Sequence, residues 1–520
     1  MLLPPRNRKL RALNNAPPRI RREKMHKTIC TTILAGLLVA ICLVVSGCGS
    51  GSDTYDISND MTIVWGGVSG DRGNAIARGP VGNTYVAGIF SDEVDFDPGP
   101  EADLHSSITD YDADLFLAKY NGAGEYQWVT TWGSPGDDWW SADTVHDIAV
   151  DVDDNIYVGG YFLSGWFDPG EEIYEYPPTG SSKAFLVKFN TNGNLIWDLI
   201  WEDIKDNSIL GVEADSTGNV YVTGYFTGTI DLDPGEGTEE YTSNGDADVF
   251  LIKLDTAGNF IWARTWGGGT GDYPSAITFD HNNGYVIVSG SFHSETIDFD
   301  PGPDTDEHHS FSGYDAFIAK LSTEGNYEWA KTWGAYGDDR GPDVGVDYHG
   351  NISVTGNLNE PMDVNPGEGI HTLYSNGGSD VYLINFNEDG EFQWAHNLGG
   401  ADNDMIMGVF VEFGGYIFVA GTYNGRMDID PGPGVVILKP YHDVCLSVFN
   451  PHGKFQWAGQ WESSDFEGGG GIAVSTQGSA FITGYTEEYP SEVDADQDMG
   501  PPSQDAFLIR IPPRYWLNII

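Results

Sequence analysis

Carboxylates at a fixed spacing are the first residues of this chain that could do chemistry. The segment Asp-x-Asp-Pro-Gly recurs at Asp95–Gly99, Asp231–Gly235, Asp298–Gly302 and Asp428–Gly432. Degenerate copies run from Trp166 to Gly170 and from Asp363 to Gly367, with Trp166 and Asn365 in place of Asp, and Asp494-Ala495-Asp496-Gln497-Asp498 holds the same place later in the chain. Two carboxylates two residues apart on an extended segment point the same way. With nearby carbonyls they suit a hard cation such as calcium, so the candidate ligands are Asp95, Asp97, Asp231, Asp233, Asp298, Asp300, Asp428, Asp430, Asp494 and Asp496. The same residues also write a chain reversal, because Asp opens a turn, Pro presets its second position and Gly permits positive φ at the third. Both readings stand at this point. An EF-hand does not, because neither Asp151–Asn155 nor Asp494–Asp498 is followed by glycine at the sixth position.

Other reactive residue types give less. The histidines, His308-His309 among them, show no repeated spacing and are expected on solvated loops rather than at zinc. Cys445 sits in a strand pattern as a small hydrophobe. There is no Gly-x-Ser-x-Gly, His-Glu-x-x-His, P-loop or CxxC, and no residue is singled out as catalytic.

Charge narrows the partners. Of 520 residues, 78 are Asp or Glu and 25 are Lys or Arg, a formal charge of -53. That excludes nucleic acid as a partner, which needs a basic footprint. Nine of the basic residues precede residue 28 and are followed by an apolar run, Thr28 to Val45, ending in Val45-Ser46-Gly47-Cys48. This arrangement resembles a bacterial lipoprotein signal with its lipobox; a transmembrane anchor is the competing reading. The resemblance implies residues 1–47 as a signal segment, Cys48 as the lipidated residue, and an exported protein held at the outer membrane or cell surface by lipid. Met25 would open a signal of ordinary length, so residues 1–24 are expected to lie upstream of the true start. Without residues 1–47 the net charge becomes -61, and only Cys445 is left beside Cys48, so no intramolecular disulfide is available.

The carboxylates have to be positioned by something that repeats as they do. Residues 48–60 read as a short polar linker, and beyond it Gly-Asn-x-Tyr-Val-x-Gly recurs with its last glycine at Gly88, Gly160, Gly224, Gly290, Gly356, Gly421 and Gly484. Asp-x-Phe followed by apolar residues and often Lys begins at Asp114, Asp248, Asp315, Asp380, Asp443 and Asp505, with Lys183 a departure and Cys445 standing for Phe. Tryptophans pair four apart, as Trp128 with Trp132 and Trp197 with Trp201, and are expected to pack between sheets. Each unit reads as four strands joined by two tight turns and one long connection. Seven such units predict an all-β, seven-bladed propeller over residues 61–520, because radial closure protects the sheet edges. Met61–Trp65 matches a fourth strand and is expected to close the seventh blade, with Tyr515–Ile520 the competing segment.

These motifs resemble the bacterial SBBP beta-propeller repeat. Asp315-Ala316-Phe317-Ile318-Ala319-Lys320, Gly325-Asn326-Tyr327-Glu328-Trp329 and Gly337-Asp338-Asp339 carry the likeness most closely, and it extends over residues 61–511. The resemblance implies a seven-bladed, exported protein and no single activity. Gly-Asn-x-x-Trp also resembles the repeat of quinone-dependent dehydrogenase propellers, whose basic and metal-binding cofactor residues have no match here.

Connections after the second and fourth strands should share one face. The seven long connections hold 35 acidic residues and only Arg426 and Lys439 as bases, so that face is expected to be strongly negative. The leading functional reading is a noncatalytic binding or interaction scaffold, calcium its one candidate cofactor, offering this face to a cation, a glycan or a basic protein. The alternative is a propeller enzyme, hydrolase or quinoprotein-like, with a site at the central mouth of the same face.

Overall fold

The computed structural model describes residues 55–56, 61–67, 69–108, 113–133, 143–163, 165–167, 174–176, 181–201, 205–340, 343–439, 443–461, 466–487 and 504–516. Cys48, Asp494 and Asp496 lie outside them, as do the apolar run at 28–45 and residues 517–520. Among the described residues no helix is long and apolar enough to cross a membrane.

Seven antiparallel sheets follow one another along the chain. The second is typical: Thr144–Val150, Ile156–Phe162, Lys183–Phe189 and Leu195–Ile200, each hydrogen-bonded to the next. The first strand of every blade lines a central channel, so blades run from an inner strand outward. Second and third strands are apolar on both sides because each sheet is sandwiched between two others; the third strand Lys183–Phe189 is buried at all seven positions. Closure follows the expected route, with Met61–Trp65 as the outer strand of blade 7 on Gln504–Ile511. Among the described residues the C-terminal segment contributes no strand there. Pro513–Tyr515 is a turn of 3-10 helix, and Trp516 is fully buried against Trp457 at 5.2 Å, plugging the seam between blades 6 and 7.

Two of the repeating glycines have identifiable causes. In blade 2 the inner strand bulges at His146, and this drives the Thr144 carbonyl toward the second strand. A Cβ on Gly160 would lie 1.9 Å from that oxygen, and the same carbonyl clash recurs at Gly88 and Gly224. The glycine of each Gly-Asn-x-x-Trp turn is left-handed, as at Gly193 with φ 78°, and presses on the indole of the preceding blade: its Cβ would meet Trp128 at 3.1 Å. Gly-Asn-x-x-Trp is therefore one blade-to-blade contact written twice, once as the donor turn and once as the acceptor ring.

The repeated lysine completes that contact. Lys188 Nζ donates to the Thr256 carbonyl at 2.9 Å and hydroxyl at 3.0 Å in the next blade's turn, lies 3.5 Å from Asp151 Oδ2, and stands over the Tyr157 ring at 4.6 Å. Lys119, Lys253 and Lys320 make the equivalent reach to Thr191, Thr323 and Glu388. Trp128 and Trp197 donate their indole N–H to the same turns, at Thr191 and Thr256. The paired tryptophans thus pack between blades, as their spacing implied.

Candidate interaction surfaces: ribbons, channel and mouth

Five of the long connections carry a two-stranded ribbon of their own, as at Glu93–Asp95 with Leu104–Ser106; in blade 3 the sheet strands simply lengthen to Val220–Asp231 and Glu240–Leu254. The Asp-x-Asp-Pro-Gly carboxylates close these ribbons. Asp298 Oδ1 accepts the amides of Asp300 at 3.1 Å and Asp306 at 2.9 Å, while Asp300 Oδ1 accepts the Gly302 amide at 2.7 Å. The pattern repeats at Asp95 and Asp97, Asp231 and Asp233, and Asp428 and Asp430. Asn365, which lacks a charge, does the same work on the Gly367 amide at 3.0 Å. Amide capture by these Oδ1 atoms gives the motif a turn-closing role. Among the described residues no group of three or more His, Cys, Asp or Glu is arranged to hold a metal.

The ribbons of blades 1 and 4 fold back along the outer strand of their own blade. The Tyr126 hydroxyl, at the start of the outer strand of blade 1, donates to Asp103 at 2.6 Å, while Thr131 near its end meets His105 Nδ1 at 2.9 Å. Blade 4 repeats this with Tyr327 on Asp306 and Thr332 on His308. Apolar ribbon residues drive the docking, since Phe96 and Phe299 are buried against Phe116 and Phe317. In these two blades the acids of the ribbon therefore lie along the outer strand. His308 is likewise not on a solvated loop. It and His105 each stand ten residues after the first Asp of the motif, edge-on to Phe299 and Phe96, and burial holds the His308 imidazole below its ordinary pKa.

The channel is a void of about 380 Å3 whose wall includes His146, Asp147, Glu213, Ser275, Asp343 and Met407. Asp147 and Asp343 occupy equivalent positions and staple neighbouring blades: Asp147 Oδ2 accepts the Val212 amide at 2.8 Å and Asp343 Oδ2 the Val409 amide at 2.7 Å. Each also caps the next amide of its own strand, Ile148 and Val344, at 2.8 Å. Burial in the wall raises all three acids, Asp147 to about 7, Asp343 to about 6 and Glu213 to about 8, with Asp343 adding charge repulsion on Asp147 and Asp147 on Glu213. The same burial lowers His146 to about 4. The two aspartates are held by amides, a stapling arrangement; no nucleophile is hydrogen-bonded to any of these groups among the described residues.

Cys445 is buried in the third strand of blade 6, paired across to Gly421, and burial pushes its thiol well above the usual range. At the insertion-side rim of the channel, where inner strands begin and second strands end, lie Tyr161, Tyr225, Tyr273 and Tyr314; the Tyr225 and Tyr273 rings meet at 5.1 Å and those of Tyr273 and Tyr314 at 6.1 Å, while Tyr161 packs on His146 at 5.7 Å. Sequence reasoning missed this group, whose signal is that the residue after the blade glycine is Tyr161, Tyr225 and Tyr485 in three blades and Ile89, Ser291, Asn357 and Thr422 in the others.

No family model matches the chain. An uncharacterized WD repeat-containing protein of Acanthamoeba polyphaga mimivirus is 22% identical over 517 residues, spanning 84% of this chain and 37% of that protein. The regulatory protein FlaEY of Caulobacter vibrioides is 27% identical over 187 residues, 35% of this chain and 19% of its own length. The chain thus covers well under half of either relative. Among solved structures, the Pan2 WD40 domain of Neurospora crassa superposes with a TM-score of 0.40 at 9% identity, covering 88% of this chain and 98% of that one.

Proposed function

We propose that this chain is an exported, lipid-anchored propeller that acts as a noncatalytic interaction scaffold for a basic protein partner. One observation supports this reading above the others. The residues that repeat are engaged in blade-to-blade contacts, ribbon closure and turns, whereas the residues that vary are presented outward, on acidic ribbons and around the mouth. A chain built this way offers a rigid frame with a changeable surface. The formal charge of -53 favours a basic partner over an anionic glycan or nucleic acid by simple complementarity. An enzyme at the mouth is not favoured, because Asp147 and Asp343 serve as staples between blades.

Anchoring rests on the Ser46-Gly47-Cys48 sequence and has its own test. Labelled fatty acid should enter the wild type and not Cys48→Ser, which should leave the membrane fraction; a labelled Cys48→Ser variant would overturn it. For the scaffold, a photo-crosslinking residue is placed at Ile370 or Val435 on the ribbons and, separately, at Val81 or Phe413 on the tight-turn side, all exposed. Expression in the native host should give discrete adducts from the ribbon positions. Adducts from the tight-turn positions alone would refute the proposed surface.

A further inference from the structure

The rim tyrosines include one that already holds a cation. The Arg340 guanidinium lies 3.8 Å from the centre of the Tyr314 ring and 3.2 Å from Asp338 Oδ2, so ring face and carboxylate together fix a positive charge, and the charge is the chain's own. The same ingredients recur one step along the rim, toward blade 3. Tyr225 and Tyr273 meet at 73° with centroids 5.1 Å apart, forming two walls of a corner. Asp206 and Asp246, both exposed, flank it. Asp206 is pinned by the Ser182 amide at 3.0 Å. Burial raises the Tyr225 hydroxyl, with Asp206 adding to the shift; burial, then Tyr314 and Asp246, raise that of Tyr273. Both rings therefore remain neutral. Among the described residues no arginine or lysine of this chain stacks over either face; Arg340, over the neighbouring Tyr314, is near enough for its charge to act against the rise at Tyr273.

The positions do not follow from the fold. On the inner strands, the place of Tyr273 is taken by Thr144, Ser208 and Met405 in other blades, and the sheet forms equally well with them. Two partly buried aromatic walls beside two carboxylates suit a cationic side chain: the ring faces attract it and the carboxylates neutralise it.

We propose that the corner between Tyr225 and Tyr273, with Asp206 and Asp246, binds one arginine or lysine side chain of a basic partner protein. This rests on the scaffold reading above and names the point of contact within it. The full chain in detergent is titrated with a fluorescein-labelled peptide alternating arginine and serine, read by anisotropy, with a glutamate–serine peptide as control. Tyr273→Leu and Tyr225→Leu should each weaken arginine-peptide binding about three- to thirty-fold, the range for a single cation–aromatic contact. Tyr273→Phe keeps the ring and should bind as wild type, which separates the site from a loss of folding. Asp300→Asn, on a distant ribbon, should change affinity less than two-fold.

If the leucine variants bind as tightly as wild type while Asp300→Asn weakens binding, diffuse acidity does the work: the corner is overturned and the scaffold reading survives. No binding of the arginine peptide at 50 mM salt overturns both. Tyrosine-dependent binding of a neutral oligosaccharide in place of the peptide overturns the cationic ligand.

Discussion

Lys188→Met is the substitution that most directly challenges the account of how the blades are joined. The Lys188 and Asp151 side chains are 3% and 2% exposed, so the ammonium and the carboxylate are both withdrawn from water. Breaking a buried pair by removing one partner costs roughly 3–5 kcal/mol, because the other charge is left without compensation. Asp151 is partly compensated: its Oδ1 accepts amides of Asp153 and Asn155, both at 2.9 Å. The lower end of that range, about 3 kcal/mol, therefore applies. At roughly 2 cal/mol/K per residue over the propeller's several hundred residues, this corresponds to a fall in Tm of about 3 °C if the propeller melts as one unit. The assay is urea unfolding followed by tryptophan fluorescence for wild type, Lys188→Met, Asp151→Asn and the double variant. The two changes should be non-additive by about 1–2 kcal/mol, since the second removes a charge the first has already stranded. Additive effects, or a loss from Lys188→Met below about 1 kcal/mol, would show that the interblade lysine is ornamental and that indole packing alone joins the blades.

Three further outcomes follow from the geometry. Gly160→Ala should cost about 3 kcal/mol or more by thermal melting, because the atom in its way is the Thr144 backbone carbonyl, which cannot rotate aside; an alanine variant as stable as wild type would mean the bulge is not rigid. Glu213 is raised from 4.5 to about 8 in the folded chain, so the unfolded state binds fewer protons and the stability Glu213 contributes is complete below pH 4.5 and lost as pH rises toward 8. Glu213→Gln should match wild type at pH 4.5 and exceed it at pH 8.5 in denaturant midpoint, and an unchanged pH profile would count against the burial of this acid. Because amides already occupy the ribbon carboxylates, melting curves in calcium and in chelator should coincide, and a calcium-dependent rise abolished by Asp298→Asn would restore those residues as ligands.

Much of the architecture was legible because it is written seven times. Glycine, aspartate and tryptophan periodicity specified four-stranded blades, and Met61–Trp65 announced its place as the missing outer strand. The ribbons' direction was not legible. Charge counting locates acids on a connection, but whether a hairpin stands upright or lies down depends on pairs such as Phe96 with Phe116 and Tyr126 with Asp103, which no local pattern reveals. The equivalence of His105 and His308 was readable as a common ten-residue offset from Asp95 and Asp298, and a search for consecutive histidine spacing passes over it. Tyr225 and Tyr273 were hidden for the opposite reason. They belong to different blades at non-equivalent positions, and only the wrapping of the sheet brings their rings within 5.1 Å.

The central claim is that the insertion side of the propeller, at the corner between Tyr225 and Tyr273, is where a basic partner docks. Hydrogen–deuterium exchange of the full chain, with and without the arginine–serine peptide, tests it most directly. The account predicts slowed exchange confined to the strand ends around Asp206, Tyr225, Asp246 and Tyr273, with the turns at 151–155, 347–351 and 412–416 unchanged. Protection of those turns, with the mouth unaffected, would place the binding surface on the opposite side and contradict it.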